Sequence, residues 1–179
     1  ITKLVGAMAH PMNKPVLNKE GTKVIDGYAL LQPKISIDIE TTNRSLYSQL
    51  FAEIGGFETY SSVVPNFYQD VFKEGSFVGK GIYDLKIFSD LLDETFPENL
   101  ILSHDLLEGN YLRCGLASDI MLMDGYPTKY ASFVNRLSRW TRGDWQIARW
   151  MSSKLSLLSR YKIFDNLRRS LFEISIIFL

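Results

Sequence analysis

Cysteine is almost absent. Cys114 stands alone among 179 residues, so no internal disulfide can form. No Cys-x-x-Cys pair and no Cys/His spacing supports a zinc site, and a reducing, cytosol-facing environment is the simpler reading. Net charge is missing too, with 20 Lys+Arg against 20 Asp+Glu. Nothing global therefore argues for a nucleic-acid or acidic partner. No charged n-region followed by an apolar stretch marks a secretory signal near the start. The C-terminal run Phe172-Glu-Ile-Ser-Ile-Ile-Phe-Leu179 falls far short of the ~20 residues that span a bilayer. It does follow a basic flank, Asn166-Leu-Arg-Arg-Ser170. Composition leaves it either the start of a transmembrane helix or an ordinary buried terminal element. Because the chain opens on Ile1 in mid-pattern and closes on an apolar run, it is expected to be a piece of a longer protein.

With 46% apolar residues, the chain can bury one sizeable core. Residues 1–28 are rich in turn signals, His10-Pro11, Lys14-Pro15, Gly21 and Gly27, and predict loop and edge structure. Ala29 to Ile37 predicts a strand with Pro33 at an edge or bulge. Thr42 to Ile54 predicts a helix ended by Gly55-Gly56, and Val63 to Phe72 a weaker one. Ser76-Phe-Val78 predicts a short strand before the turn Gly79-Lys-Gly81, and Tyr83 to Leu92 a helix closed by Phe96-Pro97. Further on, the pattern predicts strands at Asn99–Leu102 and Ile120–Met123, a helix at Asp105–Leu112, and a long helix from Pro127 to about Lys154. Strands interleaved with helices indicate α/β architecture.

Positive charge is local. Arg136, Arg139, Arg142 and Arg149 face one acid, Asp144, in the stretch that ends at Arg149. This is a compact basic island suited to an anionic ligand. On a helical wheel Arg136, Arg139, Trp140 and Gly143 share an arc of roughly 100°. Tyr130, Phe133, Val134 and Leu137 form a neighbouring apolar set expected to anchor the helix to the core. Arginine forks suit phosphate, an indole stacks on sugar C–H faces, and Gly143 permits close approach. The bland alternative is a solvated basic face with core tryptophans. A second candidate is Ser103-His104-Asp105, placed after the expected strand at Asn99–Leu102. A carboxylate at the C-terminal end of a strand is positioned to accept a proton. The bland alternative there is a helix cap by Ser103 or Asp105.

The order strand, Ser-His-Asp, about 30 residues, then Arg136-Leu-Ser-Arg-Trp-Thr-Arg-Gly-Asp-Trp-Gln146 resembles the membrane-embedded processive β-glycosyltransferases. Those enzymes pair an acidic motif ending in Asp with a later Gln-x-x-Arg-Trp motif. The similarity is closer to the glycosyltransferase domain of cyclic β-1,2-glucan synthases. It is carried by Ala9-His-Pro-Met-Asn13, Gly27-Tyr-Ala-Leu-Leu-Gln-Pro33, Gly79-Lys-Gly-Ile-Tyr-Asp84, Pro97-Glu-Asn-Leu-Ile-Leu-Ser-His-Asp-Leu-Leu-Glu-Gly109 and Arg139-Trp-Thr-Arg-Gly-Asp-Trp-Gln146.

The resemblance implies part of a GT-A-type, Rossmann-like domain, with a mixed sheet flanked by helices, over residues 1–158. Residues 159–179 would form an amphipathic interfacial segment leading toward a membrane span. It implies an inverting transfer of glucose from UDP-glucose to a growing β-1,2-glucan at the cytoplasmic face of a bacterial inner membrane, with no nucleic acid expected. Asp105 would be the base, Arg136 and Arg139 the diphosphate ligands and Trp140 the acceptor platform. His104, Arg142, Gly143, Asp144, Trp145 and Gln146 are candidate supporting residues. Position 136 is Arg where the wider group has Gln. The literal match Gln146-Ile-Ala-Arg149-Trp150 lies downstream but lacks the glycine three residues after its Trp. No Asp-x-Asp occurs in the chain. Asp38-Ile-Glu40 comes nearest and predicts the polar face of a strand. The Mg or Mn of the full-length enzyme would therefore be bound outside this chain, and these residues alone would be inactive. The rival reading is a noncatalytic glycan- or nucleic-acid-binding module built on the Arg/Trp helix.

Overall fold

The computed structural model describes residues 1–52, 67–93, 95–96, 99–101, 105–152 and 155–178. Residues 2–9, expected as loop, form helix α1 (Thr2–Ala9), which buries Leu4. Its N-cap, Ile1, offers no side-chain cap, so the usual start signal is missing from the sequence. Strands β1 (Val16–Leu17) and β2 (Val24–Asp26) pair antiparallel as a small hairpin.

Strand β3 (Leu30–Ile37) opens with four buried residues, Leu30, Leu31, Gln32 and Pro33. Burial of consecutive residues means cover on both faces, as in a central strand. It is followed by the short helices α2 (Ile39–Thr42) and α3 (Leu46–Phe51). Asp38 is therefore not on a strand. Its carboxylate accepts from Glu40 N–H and caps α2, because the strand has already ended at Ile37. Where one helix was expected from Thr42, Ser45 and Ser48 form a capping box that starts α3 afresh. The expected stop at Gly55-Gly56 lies outside the described residues.

Helix α4 (Phe67–Phe72) is shorter than expected; 63–66 lie outside the described residues. Ser76 to Val78 is not a strand. The Val78 N–H donates to the buried side chain of Gln32 at 2.7 Å, so it does not join a ladder. Strand β4 (Ile82–Tyr83) follows, then α5 (Leu85–Leu92), capped by Asp84. Asn99 to Ile101 is not a strand either: Asn99 has φ +60, a left-handed conformation that breaks extended structure. Helix α6 (Asp105–Leu112) has the expected bounds. Strand β5 (Cys114–Asp124) is longer than expected. Helix α7 (Tyr130–Ile147) begins after Pro127 and passes into a 3₁₀ turn at Ala148–Ser152. The last helix is α8 (Leu157–Ile177).

The main sheet has the order β4-β3-β5, with β4 antiparallel and β5 parallel to β3. It is a mixed sheet flanked by helices. The register shifts between Pro33 and Lys34. Pro33 thus marks a bulge within the central strand, where its missing N–H does least harm. One core cluster joins Leu30, Phe77, Leu91, Leu92, Leu112 and Cys114. The other joins Leu107 of α6, Ile147 of α7, Trp150, Leu155, and Ile163 and Leu167 of α8. Helix α6 contributes to both. No described helix is long and apolar enough to cross a membrane.

Candidate active site

Asp105 is the first residue of α6, where a carboxylate is favoured by the positive end of the helix dipole. Leu107 fixes that helix, being fully buried within the second core cluster. The carboxylate lies against the backbone of Gly79, which has φ +89. A Cβ built on Gly79 would come within 2.9 Å of Asp105 Oδ2. Glycine is required here twice over, by its left-handed backbone and by the close approach. The loop is held on both sides: Gln32 takes the Val78 N–H, and Lys80 forms an ion pair with Asp124 at the end of β5. The loop that braces Asp105 is thereby tied to both parallel strands, to β3 through Gln32 and to β5 through Asp124.

One turn further along α6, Glu108 is buried at 4% exposure and accepts from the Tyr83 hydroxyl at 2.9 Å. Burial, followed by the charge and hydrogen bond of Glu108, pushes the Tyr83 phenol well above its ordinary range, so it remains a donor. Tyr83 and Glu108 both lie in the resembling blocks, but nothing in the sequence pointed to their pairing. Gly79 belonged to one of the resembling blocks but read only as a turn. His104 and Ser103 lie outside the described residues.

Helix α7 brings Arg136 and Trp140 together, with the guanidinium 5.0 Å from the indole centroid. The two are one turn apart, so the stacking is set by helical geometry. Arg139 and Arg142 are exposed, Gly143 is buried and Gln146 half-buried. The apolar set expected to anchor this helix does so only in part: Phe133 and Leu137 are half-buried. Tyr130 is 66% and Val134 37% exposed, whereas Ile147 is 2% exposed, so the anchor is at the C-terminal end. The reason is α8, which offers Ile163 and Leu167 there.

Asp144 and Trp145 turn out to have partners on α8. Asn166 Nδ2 donates to Asp144 Oδ1 at 3.1 Å, and Trp145 Nε1 donates to Ser170 Oγ at 3.1 Å. Burial raises the Asp144 carboxyl above its ordinary range, against the opposing pull of Arg169 and the Asn166 bond. Trp150, from the downstream literal match, is a core residue at 9% exposure. The one cysteine, Cys114, is buried, and its thiol is pushed up to about 12, which leaves it protonated and unreactive.

No protein-family model matches the chain. It is 42% identical over 179 residues to the cyclic β-(1,2)-glucan synthase NdvB of Rhizobium meliloti (strain 1021). That match takes in 98% of this chain and spans about 6% of the relative's length. Over nearly all of its residues, the chain is therefore related to a segment of cyclic β-(1,2)-glucan synthases.

Proposed function

We propose that this chain is the base and acceptor half of an inverting, GT-A-type glucosyltransferase site within a longer glucan synthase. The observation that carries this reading is the placement of Asp105. A carboxylate braced on a glycine backbone at the start of a helix has its position set before substrate arrives. Relationship to a β-(1,2)-glucan synthase supports a β-1,2-glucan acceptor, and UDP-glucose is the donor proposed with it.

In the proposed reaction Asp105 accepts the proton of an acceptor hydroxyl. The oxygen attacks C1 of the donor glucose, forming the new C–O bond as the bond to the nucleotide diphosphate breaks. Arg136 and Arg139 offset the charge that grows on the leaving diphosphate, and Trp140 stacks on the acceptor ring. Among the described residues no group of three His, Cys, Asp or Glu side chains converges as a cation site. Since no Asp-x-Asp occurs in the sequence, the ligands of a divalent metal are proposed to lie outside these 179 residues. The isolated chain is accordingly proposed to be inactive; glucose transfer by it would refute that.

Helix α8 is assigned to the cytoplasmic surface of the inner membrane. It carries Arg160, Arg168 and Arg169 together with exposed Phe172, Ile176, Ile177 and Phe178. Such a pairing of basic and apolar side chains suits an anionic lipid surface.

Asp105→Asn in the full-length enzyme tests the central role. Transfer is expected to fall by on the order of 10²–10⁴, with UDP-glucose affinity unchanged. Retained transfer would remove Asp105 from the chemistry. Strongly salt-dependent RNA or DNA binding would instead favour a noncatalytic nucleic-acid module.

A further inference from the structure

Tyr47, in α3, is the hub of an aromatic cluster that the roles above leave unused. Its ring centroid lies 5.0 Å from Phe51, 6.3 Å from Tyr126, 6.0 Å from Tyr130 and 6.2 Å from Phe133. Three hydrogen bonds between distant segments fix this arrangement. Asp38 N–H donates to Asp124 O at 2.8 Å, Tyr126 N–H to Thr41 Oγ1 at 3.1 Å, and the Ser45 hydroxyl to Thr128 O at 2.7 Å. Rings held in advance offer stacking area at little entropic cost on binding. Nor is the cluster a sealed core, because Tyr130 is 66% and Phe51 47% exposed.

The cluster is continuous with Trp140. On the wheel of α7, Phe133, Arg136, Trp140, Gly143 and Ile147 occupy an arc of roughly 80°. The arc is buried at its Gly143 and Ile147 end and opens toward Phe133. Arg136 links the two halves: its guanidinium stacks on Trp140, and its charge reaches the Tyr126 phenol, opposing the burial and the Tyr47 bond that push that group up to about 12. Arg136 Nε is itself buried with no hydrogen-bond partner among the described residues. A sugar chain offers C–H faces to the exposed rings and hydroxyl oxygens to the reachable part of the half-buried Arg136 guanidinium, which an apolar helix or a lipid tail could not bond.

We propose that Tyr47, Phe51 and Tyr130 form an outer acceptor subsite, which holds glucose units of the growing glucan beyond the unit at Trp140. Phe133 and Trp140 are about 10 Å apart along the helix axis, which leaves room for more than one sugar ring. The inference rests on the acceptor role proposed for Trp140.

The test uses full-length enzyme carrying Tyr130→Ala or Phe51→Ala, both at exposed positions, with Tyr130→Trp as the variant that keeps a platform. Dissociation constants are measured for a β-1,2-linked glucose disaccharide and for an oligomer of about ten units, beside wild-type transfer from UDP-glucose. For the alanine variants the oligomer constant is expected to rise roughly five- to tenfold. The disaccharide constant should stay unchanged, and Tyr130→Trp should bind the oligomer like wild type. Oligomer affinity unaltered by either alanine overturns the subsite, while wild-type transfer still upholds the acceptor reading. Equal weakening for both sugars also overturns it, since that marks general damage. Absence of transfer by the wild type overturns the acceptor reading and this subsite with it.

Discussion

Gly79 and Asp105 show how one residue's missing side chain positions another's carboxylate. A methyl group on Gly79 would sit 2.9 Å from Asp105 Oδ2, and the flexible partner that must yield is the proposed base itself. Gly79→Ala is expected to lower transfer by roughly ten- to a hundredfold, the cost of misplacing a reacting group by about 1 Å. Donor affinity should be unchanged, and steady-state kinetics with a separate UDP-glucose titration would check it. Equal loss of both would mean that the loop had simply unfolded. The sequence singled out Asp105 for following a strand at Asn99–Leu102, which does not form over 99–101; what was legible is that α6 starts at Asp105. The brace of Asp105 was not legible, because Gly79 lies 26 residues earlier in the chain and only folding brings the two together.

Helix α7 divides its residues between two tasks, and the division follows from where α8 packs. Arg136 and Trp140 stay half-buried, whereas Asp144 and Trp145 bond to Asn166 and Ser170. Asp144 gives this clasp a pH signature. Its folded carboxyl is raised above its ordinary value, chiefly by burial. The folded state therefore holds the proton more tightly than the unfolded state, and stability falls as pH rises through the raised value. Asp144→Asn should leave the chain as stable as the parent, or more so, at about pH 7, and the two should converge near about pH 4. Thermal unfolding across that range would check this. A clear loss at neutral pH would show that the pairing with Arg169 outweighs burial. The shared arc of Arg136, Trp140 and Gly143 was legible in the sequence, since helical period alone sets it. Which arc meets α8 was not.

At the scale of the whole molecule, Lys162 joins the last helix to the middle of the chain. It is 2% exposed, and its ammonium donates to Glu74 Oε1 at 2.7 Å and to Gly75 O at 2.8 Å. Its nitrogen also lies 5.4 Å from the Tyr68 ring centroid. Glu74 and Gly75 directly precede the segment that carries Phe77, Val78 and Gly79, so α8 is fastened to the strap that braces Asp105. Glu74→Gln would leave a buried ammonium without its countercharge, and is expected to cost about 3–5 kcal/mol. Urea unfolding would measure the loss. Adding Lys162→Met should recover part of it, because a neutral pair removes the uncompensated charge. A loss confined to a few tenths of a kcal/mol would show that water reaches the site.

The sequence by itself determined the α/β character, the bounds of α6, the shared face of Arg136 and Trp140, and the kinship with glucan synthases. These follow from local periodicity and residue order, which survive without neighbours. Tertiary structure alone decided that Pro33 is a central bulge and that Asp105 rests on Gly79. It also buried Trp150 in the core while leaving Trp140 half-open, and gave Asp144 and Trp145 to α8. The physical reason is the same in each case. A helix or strand repeats its faces by local geometry, but which face is buried depends on segments tens of residues away that arrive only when the chain folds.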